Sequence, residues 1–588
     1  MKDISGAELL VACLQEAGIT DAFGMAGHTN VALLDALLDS SIKFHSVRHE
    51  QVAAHAADAY YRVNRRPAAL IVHVGPGLTN ALTGLGDAVA DCSAVVAIAG
   101  DIASFHQGKD AFQELGLHTD GAQWELARPL TKRAWKITSA DSLRRHVSTA
   151  VHVARTGRPG PVLLSVAMDV FSVRVPAEPS SPATPDPIAM TGTATPEAIR
   201  AAAALLRNAV RPVLLAGGGA VDAREEITSL MELTGAPLLT TLSGRTTVDE
   251  FHPQCLGPIG RTGSPAANRA VAEADVLLAI GTQFPEQDSS SWVPGKTFTI
   301  PPTKLIQVDV DVNQLGKIFP VTIGIVADAR ATMADLVAAI KADAQHAGAN
   351  HARKAWRAPL RDEHAKWRHA NVETVEQGRD GAIHPGYLLQ ELSASLPETA
   401  ILLGDVGWGK NGTSQFIRRR LPRTMLVASG FGTMGWAAAA GLGAKVANPQ
   451  VPVVSITGDG GMSSCLSALI TAAEYGIGVI WVVLNNGVYQ SIMGLQQQHF
   501  SRTLGTVFWE GAPNALRTDF AALARCCGIE ARTVTKPNEL RAALEWAART
   551  KGPVLLDVLT DPQAFPPAGG FWDVHEIYQG TTSAAVSA

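Results

Sequence analysis

Two short motifs in the last third of the chain contain residues that could bind a metal ion and a diphosphate. Asp459 and Asn486 each stand next to glycine at the end of an apolar run, with one helical pattern between them. Neighbouring parallel strands end at the same edge of a sheet, so both side chains should lie close together. Carboxylate, amide and backbone carbonyl oxygens suit Mg²⁺, and the carbonyl near Val488 would extend this set. The adjacent Gly460 and Gly461 would let the backbone approach a diphosphate.

The elements that must position these residues follow one pattern throughout the 588 residues. Short apolar, β-branched runs alternate with longer helical patterns, as is typical of strands buried on both faces. This alternation predicts an α/β protein with three doubly wound parallel-sheet domains. Pro176–Pro196 and the segment from about Ala342 to Pro385 are typical of linkers. They delimit domains of residues 1–175, 190–345 and 380–565, followed by a tail of residues 566–588.

The clearest runs predict individual elements. Helices are expected at Gln51–Arg62 and Thr79–Ala90. The strand predictions are Ala68–Val74, Ala94–Ala99, Pro212–Leu215, Val276–Ile280, Leu305–Val310, Ile401–Leu403, Val453–Ile456, Val479–Leu484 and Val554–Val558.

The composition limits the kinds of molecule that the protein is expected to bind. Hydrophobic residues make up 46% and charged residues 18%, and the net charge is only −5, which gives no reason to expect nucleic acid or an anionic membrane. No apolar run is long enough to span a bilayer, and the first ten residues lack a secretory signal pattern. The six cysteines show no C-x-x-C spacing, so we expect reduced, mostly buried thiols in a cytoplasmic protein.

Further motifs accompany Asp459 and Asn486 in a characteristic order. They are Arg48–Glu50, Gly75–Asn80, Asp110–Glu114, Gly157–Val162 and Gly432–Gly435. With them, nearly the whole chain resembles the thiamine-diphosphate-dependent enzymes of the acetolactate synthase-like family. The resemblance implies thiamine diphosphate and Mg²⁺ as cofactors. It also implies that the first domain binds the aminopyrimidine ring and the third binds the diphosphate, with a central domain between them.

The resemblance assigns roles to residues at both ends of the cofactor. Glu50 matches the family's glutamate, which protonates the aminopyrimidine ring, and an apolar site would keep its carboxyl protonated. Met434 matches the apolar side chain that holds the two cofactor rings in a bent shape, and the Gly432 carbonyl would accept a hydrogen bond from the 4′-amino group. Because the two ends belong to different domains of different subunits in this family, the resemblance implies at least a homodimer and often a tetramer.

Three further residues are candidates for contact with the substrate. His28 follows a glycine-containing loop that faces the reacting carbon in the family, and a neutral imidazole there could transfer protons near pH 7. Gln113 matches a family glutamine near the substrate. His73 is either a third catalytic residue or a hydrogen-bonded core histidine, whereas His49 beside Glu50 is expected to be structural.

The sequence departs from the family's synthases at other positions. Leu495 and Ser491 stand where those synthases carry a Trp and a Met, and Gly281–Gln287 stands where an arginine-rich segment is expected. These departures argue against a biosynthetic acetolactate synthase and against firm FAD binding. Gly217–Gly219 is a poor dinucleotide motif, so the central domain binds FAD, an ADP moiety or nothing.

Two classes of reaction remain open at this point. The first is decarboxylation or carboligation of a 2-oxo acid or a related small carbonyl compound. The alternative is a lyase or hydrolase that releases no CO₂, such as a 2-hydroxyacyl-CoA lyase, an acyloin lyase or a cyclic diketone hydrolase. The tail of residues 566–588 is either a cover over the active site or an ordinary surface segment. Arg418–Arg420 is expected to be a solvated face.

Overall fold

The computed structural model describes residues 3–116, 123–177, 192–342, 347–379, 381–509, 517–570 and 572. It contains three six-stranded sheets in which every neighbouring pair of strands is parallel. Helices cover both faces of each sheet, so the predicted α/β class with three parallel-sheet domains is confirmed. Within the described residues no helix is both long and apolar enough to cross a bilayer.

The first sheet has the strand order β3-β2-β4-β5-β7-β6. Its central strands are buried along their whole length, because helices lie on both sides. The strands of this domain are β1 Asp3–Ser5, β2 Asp21–Gly24, β3 Lys43–Ser46, β4 Ala68–Val72, β5 Val95–Asp101, β6 Arg133–Ile137, β7 Val162–Ala167 and β8 Arg174–Pro176. Its helices are α1 Gly6–Glu16, α2 Val31–Leu38, α3 Glu50–Asn64, α4 Pro76–Ala90, α5 Gln123–Ala127, α6 Leu143–Arg155 and α7 Met168–Ser172.

The second sheet has the order β11-β10-β9-β12-β13-β14, so the strand order reverses between β9 and β12. Its strands are β9 Pro212–Ala216, β10 Leu238–Thr240, β11 Cys255–Pro258, β12 Val276–Ile280, β13 Lys304–Asp309 and β14 Ile323–Val326. The helices are α8 Pro196–Asn208, α9 Arg224–Thr234, α10 Pro265–Ala272, α11 Ala329–Lys341 and α12 Ala347–Arg368.

The third sheet has the order β18-β17-β19-β20-β22-β21. Before it in the chain, the two-residue strands β15 and β16 pair with each other in antiparallel orientation. The strands are β15 Gly378–Arg379, β16 Ala382–Ile383, β17 Ile401–Gly404, β18 Met425–Val427, β19 Val453–Gly458, β20 Val479–Asn485, β21 Glu530–Val534 and β22 Val554–Leu559. The helices are α13 Pro385–Ser395, α14 Trp408–Phe416, α15 Trp436–Ala447, α16 Asp459–Ser464, α17 Ser467–Tyr475, α18 Gln490–Phe500, α19 Phe520–Cys526 and α20 Pro537–Arg549.

Helices α3 and α15 join the first and third domains in one continuous core. The two helices run antiparallel, because the Arg62 guanidinium lies over the Trp436 ring at 4.8 Å whereas the Ala56 carbonyl lies against Gly443. A Cβ added to Gly443 would overlap that carbonyl oxygen, so the close approach requires glycine. Trp436 also donates from its ring nitrogen to the buried Asp58 carboxylate at 2.7 Å.

Three predictions are corrected or limited by the fold. Arg418–Arg420 is not a solvated face throughout, since Arg419 is only 1% exposed and donates to the carbonyls of Pro397, Glu398 and Ala400. None of the six cysteines forms a disulfide, as predicted, but only half are buried, and Cys526 is exposed. The tail prediction falls mostly outside the described residues, which include only 566–570 and Trp572. The domain boundaries themselves remain predictions.

Candidate functional site

The structure places Asp459 and Asn486 side by side at the carboxyl edge of the third sheet. Asp459 follows β19 and Asn486 follows β20, and these two strands are paired in parallel. The Asp459 carboxylate accepts from the backbone N–H of Asn486 at 3.1 Å and from that of Gly487 at 2.6 Å. The two strand ends are adjacent as the sequence predicts, but two helices, α16 and α17, connect the strands where one was expected.

The donor set at this edge suits Mg²⁺. Asp459 is buried and supplies a carboxylate, while Asn486 and the backbone near Val488 supply neutral oxygens of the kind that Mg²⁺ accepts. Among the described residues no three His, Cys, Asp or Glu side chains are grouped as for a metal ion. Burial raises the pKa of Asp459 to about 6, although backbone N–H groups and the charge of Arg517 oppose this shift. A cation bound directly to the carboxylate would favour its charged form.

Glycines 460 and 461 make room for the protein's own side chains at this edge. A Cβ on Gly460 would stand 2.4 Å from the Tyr489 ring, and a Cβ on Gly461 would stand 2.6 Å from the Asp405 carboxylate. Asp405, which sequence reasoning missed, follows β17 and is buried. Its carboxylate accepts from Thr457 Oγ1 at 2.7 Å and from Gly435 N at 2.9 Å. The sequence did contain a signal for Asp405: Gly404–Asp405 follows an apolar run, as Gly458–Asp459 does.

Asp405 thereby holds the Gly432–Gly435 loop at the same sheet edge. Gly432 and Gly435 adopt φ values of 74° and 87°, which glycine accommodates without strain. Met434 lies between them and is 41% exposed, so it is not core filler within this chain. An exposed apolar side chain on a fixed loop is suited to support an apolar part of a bound cofactor.

Glu50 occupies a buried position at the start of α3. It is only 2% exposed, which excludes the alternative of a solvent-facing glutamate at a helix start. The Asn80 side chain of α4 donates to Glu50 Oε2 at 3.0 Å and fixes the carboxyl in place. His49 caps the helix, because its Nδ1 accepts from the Gln51 N–H at 3.2 Å. This agrees with the structural role predicted for His49.

The three predicted substrate-contact residues lie together at the carboxyl edge of the first sheet. His28 follows β2 and His73 follows β4, and their ring centroids are 6.1 Å apart. The His28 ring also packs against Phe112 with the centroids 5.6 Å apart. Gln113 is adjacent, since a Cβ on Gly75 would stand 2.6 Å from its carbonyl oxygen.

Two buried polar atoms of this cluster lack a hydrogen-bond partner among the described residues. His73 Nδ1 and Gln113 Oε1 are buried and have no hydrogen-bond partner in the described part of the chain. The Nδ1 atom of His73 therefore does not form the hydrogen bond expected of a core histidine. Burial, assisted by His28 and opposed by Glu50, lowers the pKa of His73 and favours the neutral imidazole.

Within one chain the Glu50 end and the Gly432–Gly435 loop lie far apart. The loop leads into Trp436, which contacts Arg62 near the end of α3, whereas Glu50 begins that helix. At 1.5 Å per residue, the helix places Glu50 about 18 Å from Arg62. One chain thus places the two groups of predicted cofactor-binding residues at opposite ends of the α3–α15 pair.

A separate cavity of about 380 Å³ opens beside the central sheet. It lies at the crevice between β9 and β12, where ligands of open α/β sheets bind. Gly217 is required by packing, because a Cβ there would stand 2.1 Å from the Gly281 carbonyl oxygen. Arg155 and Arg158 of the first domain reach this cavity. These two cationic groups therefore come from a neighbouring domain, whereas the Gly281–Gln287 segment itself carries no arginine.

Comparison with known proteins agrees with this arrangement. Residues 4–123, 199–336 and 405–558 match the N-terminal TPP binding, central and C-terminal TPP binding domains of thiamine pyrophosphate enzymes. The probable acetolactate synthase large subunit of Methanocaldococcus jannaschii is 33% identical over 590 residues, covering 96% of this chain and 94% of that protein. The chain belongs to the acetolactate synthase-like thiamine pyrophosphate enzymes. The predicted family and its thiamine-diphosphate-dependent carbon–carbon chemistry are confirmed.

Other acetolactate synthase-like enzymes show similar relationships. The acetolactate synthase of Arthrospira platensis is 33% identical, covering 95% of this chain and 94% of that protein. The acetolactate synthase of Mycobacterium bovis is 32% identical, covering 96% and 90%. None of these comparisons favours the alternative of a lyase or hydrolase that releases no CO₂.

Proposed function

We propose that this enzyme binds thiamine diphosphate with Mg²⁺ and decarboxylates a 2-oxo acid, then transfers the resulting two-carbon or longer unit to a second carbonyl compound. The observation that carries the proposal is the adjacency of Asp459 and Asn486 at one sheet edge, together with a buried Glu50 on the other half of the site. Asp459, Asn486 and the Val488 carbonyl would hold Mg²⁺ and the diphosphate. When bound, thiamine diphosphate supplies the nucleophilic carbon that adds to the substrate carbonyl.

The chain's own residues would then perform the proton transfers. Glu50, held by Asn80, keeps a proton at the aminopyrimidine ring nitrogen, and the Gly432 carbonyl accepts from the 4′-amino group. His28 and His73 stand where they can hold or deliver a proton at the substrate oxygen, with the neutral form of His73 favoured by burial. The Gln113 amide would orient the substrate carboxylate or carbonyl. Met434 would support the bent cofactor from the opposite face.

The test of this function is titration of thiamine diphosphate into the protein with Mg²⁺ and with EDTA, followed by incubation with pyruvate and with a series of longer 2-oxo acids. We expect binding only with Mg²⁺, and then release of CO₂ with formation of an acyloin-type product. Binding without CO₂ from any 2-oxo acid would overturn the decarboxylating reaction but keep the cofactor. Absence of binding under both conditions would overturn the cofactor assignment as well.

We further propose that each active site is shared by two copies of the chain, supported by the separation of Glu50 from the Gly432–Gly435 loop. Mixing Glu50→Gln and Asp459→Asn proteins in equal amounts, after dissociation and reassociation, tests this arrangement. Activity should return to about a quarter of wild type, because half of the dimers are mixed and each of these has one intact site of two. If both halves of a site came from one chain, no mixed dimer would have an intact site and activity would stay at background.

The central cavity is proposed to bind the ADP part of a nucleotide, either as ADP or within FAD. The support is its place at the strand-order reversal and the Arg155 and Arg158 guanidinium groups, which suit a diphosphate. Replacing Arg158 by Met should weaken ADP binding about 10-fold, the loss expected for one charge-assisted hydrogen bond. Isothermal titration with ADP and with FAD measures this, with exposed Arg200→Met as the control. Failure of both nucleotides to bind wild type would contradict the proposal.

A further inference from the structure

Gln490 connects the predicted metal ligand Asn486 to the segment that follows the last strand. The Asn486 amide nitrogen donates to Gln490 Oε1 at 3.1 Å, and each side chain is only 8% exposed. The Gln490 amide nitrogen donates to the Pro562 carbonyl at 2.8 Å and to the Ala564 carbonyl at 2.6 Å. Both hydrogens of the Gln490 amide are therefore used.

The two carbonyl acceptors determine which way the Gln490 amide faces. A backbone carbonyl only accepts, so the nitrogen of Gln490 must face Pro562 and Ala564 and its oxygen must face Asn486. Because this oxygen only accepts hydrogen bonds, the amide nitrogen of Asn486 must face it. The Asn486 Oδ1 atom is thereby turned to the opposite side, where it accepts from Val488 N at 3.1 Å.

This orientation matters because only the oxygen of an asparagine amide binds a hard cation. Asn486 Oδ1 lies toward the Gly487–Val488 backbone, and the Gly487 N–H also contacts the Asp459 carboxylate. A flipped Asn486 amide would present N–H groups to Mg²⁺, which accepts oxygen ligands in near-ideal octahedral geometry. We propose that Gln490 is a positioning residue for the metal site and sets the orientation of the Asn486 amide. The inference rests on the proposed function, since it requires Mg²⁺ at Asp459 and Asn486.

The segment that orients Gln490, residues 560–564, is itself firmly attached. We call it the C-terminal strap. Thr560 N donates to the Asn485 carbonyl at 3.0 Å, and Asp561 N donates to the Ile383 carbonyl at 3.0 Å. The Ala564 carbonyl also accepts from the Trp408 ring nitrogen at 2.7 Å, at the start of α14. The Ala564 carbonyl of the strap thus accepts hydrogen bonds from residues at the starts of both α14 and α18. The contacts of the strap with Gln490 do not involve residues 566–588.

The experiment measures Mg²⁺ affinity directly, by titrating Mg²⁺ into each protein in the presence of saturating thiamine diphosphate. Gln490→Met keeps the side-chain length but removes the donors and the acceptor, and Gln490→Glu keeps only an acceptor. We expect Mg²⁺ affinity to fall about 10- to 100-fold in Gln490→Met, the range for outer-shell partners of metal ligands, and less in Gln490→Glu. Gln498→Met, exposed on the same helix, should bind Mg²⁺ as wild type does.

Repeating the Gln490→Met substitution in an Asn486→Asp protein distinguishes orientation of the Asn486 amide from a general effect on the structure. In the Asn486→Asp background both oxygens of residue 486 are equivalent, so no amide orientation remains to be set. Gln490→Met should then change Mg²⁺ affinity by less than about 3-fold, and the two substitutions should be strongly non-additive. An equal loss in both backgrounds, or a wild-type affinity in Gln490→Met and Gln490→Glu, would overturn the inference. Thermal unfolding of the cofactor-free proteins checks that each variant is folded.

Failure of this inference can be told apart from failure of the proposed function. If wild type does not bind Mg²⁺ with thiamine diphosphate, the proposed cofactor site is wrong and the inference falls with it. If wild type binds and the Gln490 variants bind equally well, only the positioning role is wrong.

Discussion

Replacement of Glu50 by glutamine is expected to lower kcat by about 10²- to 10⁴-fold, the range for loss of one general acid–base group. Glutamine has the same shape and still offers an oxygen to the Asn80 amide, which donates to Glu50 at 3.0 Å. It has no exchangeable carboxyl proton to share with the aminopyrimidine ring. The loss should therefore appear in turnover, whereas Mg²⁺-dependent binding of thiamine diphosphate should change little.

Steady-state kinetics and cofactor titration on the same preparation separate these two effects. Glu125→Gln is the matched control, because Glu125 is exposed on the short helix α5 of the same domain and should leave both quantities unchanged. A Glu50→Gln enzyme with wild-type kcat would contradict the proton-transfer role. A variant that no longer binds the cofactor would point to a role in binding instead.

Replacement of Asp459 by asparagine should abolish Mg²⁺-dependent cofactor binding at ordinary Mg²⁺ concentrations. Asp459 supplies the carboxylate of the proposed ligand set, and it accepts backbone N–H groups from Gly460, Asn486 and Gly487. An asparagine removes the negative charge and directs its own N–H groups at some of these donors. The loss in Mg²⁺ affinity should exceed the roughly 10- to 100-fold cost of removing an outer-shell partner.

The measurement is a Mg²⁺ titration of cofactor binding, with Asp335→Asn as the control on the exposed side of α11. Thermal unfolding of the cofactor-free proteins checks that both variants are folded. Normal Mg²⁺ affinity in Asp459→Asn would show that the metal binds elsewhere.

Local sequence patterns predicted much of the framework. The nine strands predicted from apolar runs all occur, and Val276–Ile280 agrees residue for residue. Asp459 and Asn486 could be placed together because a short helical connection joins two strands, and parallel pairing then aligns the two strand ends. These relationships depend on periodicity and on short connections, which the sequence shows directly.

Other features depended on contacts between segments that are distant in the chain. The burial of Arg419 follows from carbonyls near Ala400, and Arg155 and Arg158 reach the central cavity from the first domain. The sequence predicted a solvated face at Arg418–Arg420 and showed no arginine in Gly281–Gln287. Neither stretch of sequence shows which residues of other domains lie beside it.

The amino-acid sequence by itself determined the parallel-sheet class, the adjacency of Asp459 and Asn486 at one sheet edge and the family to which the enzyme belongs. Only the tertiary structure decided how these residues are held: Asn80 on Glu50, Asp405 on the Gly432–Gly435 loop, and Gln490 between Asn486 and Ala564. The physical reason is that a hydrogen bond depends on the position and direction of both partners. Where the partners lie on different elements, packing of the whole chain sets that geometry.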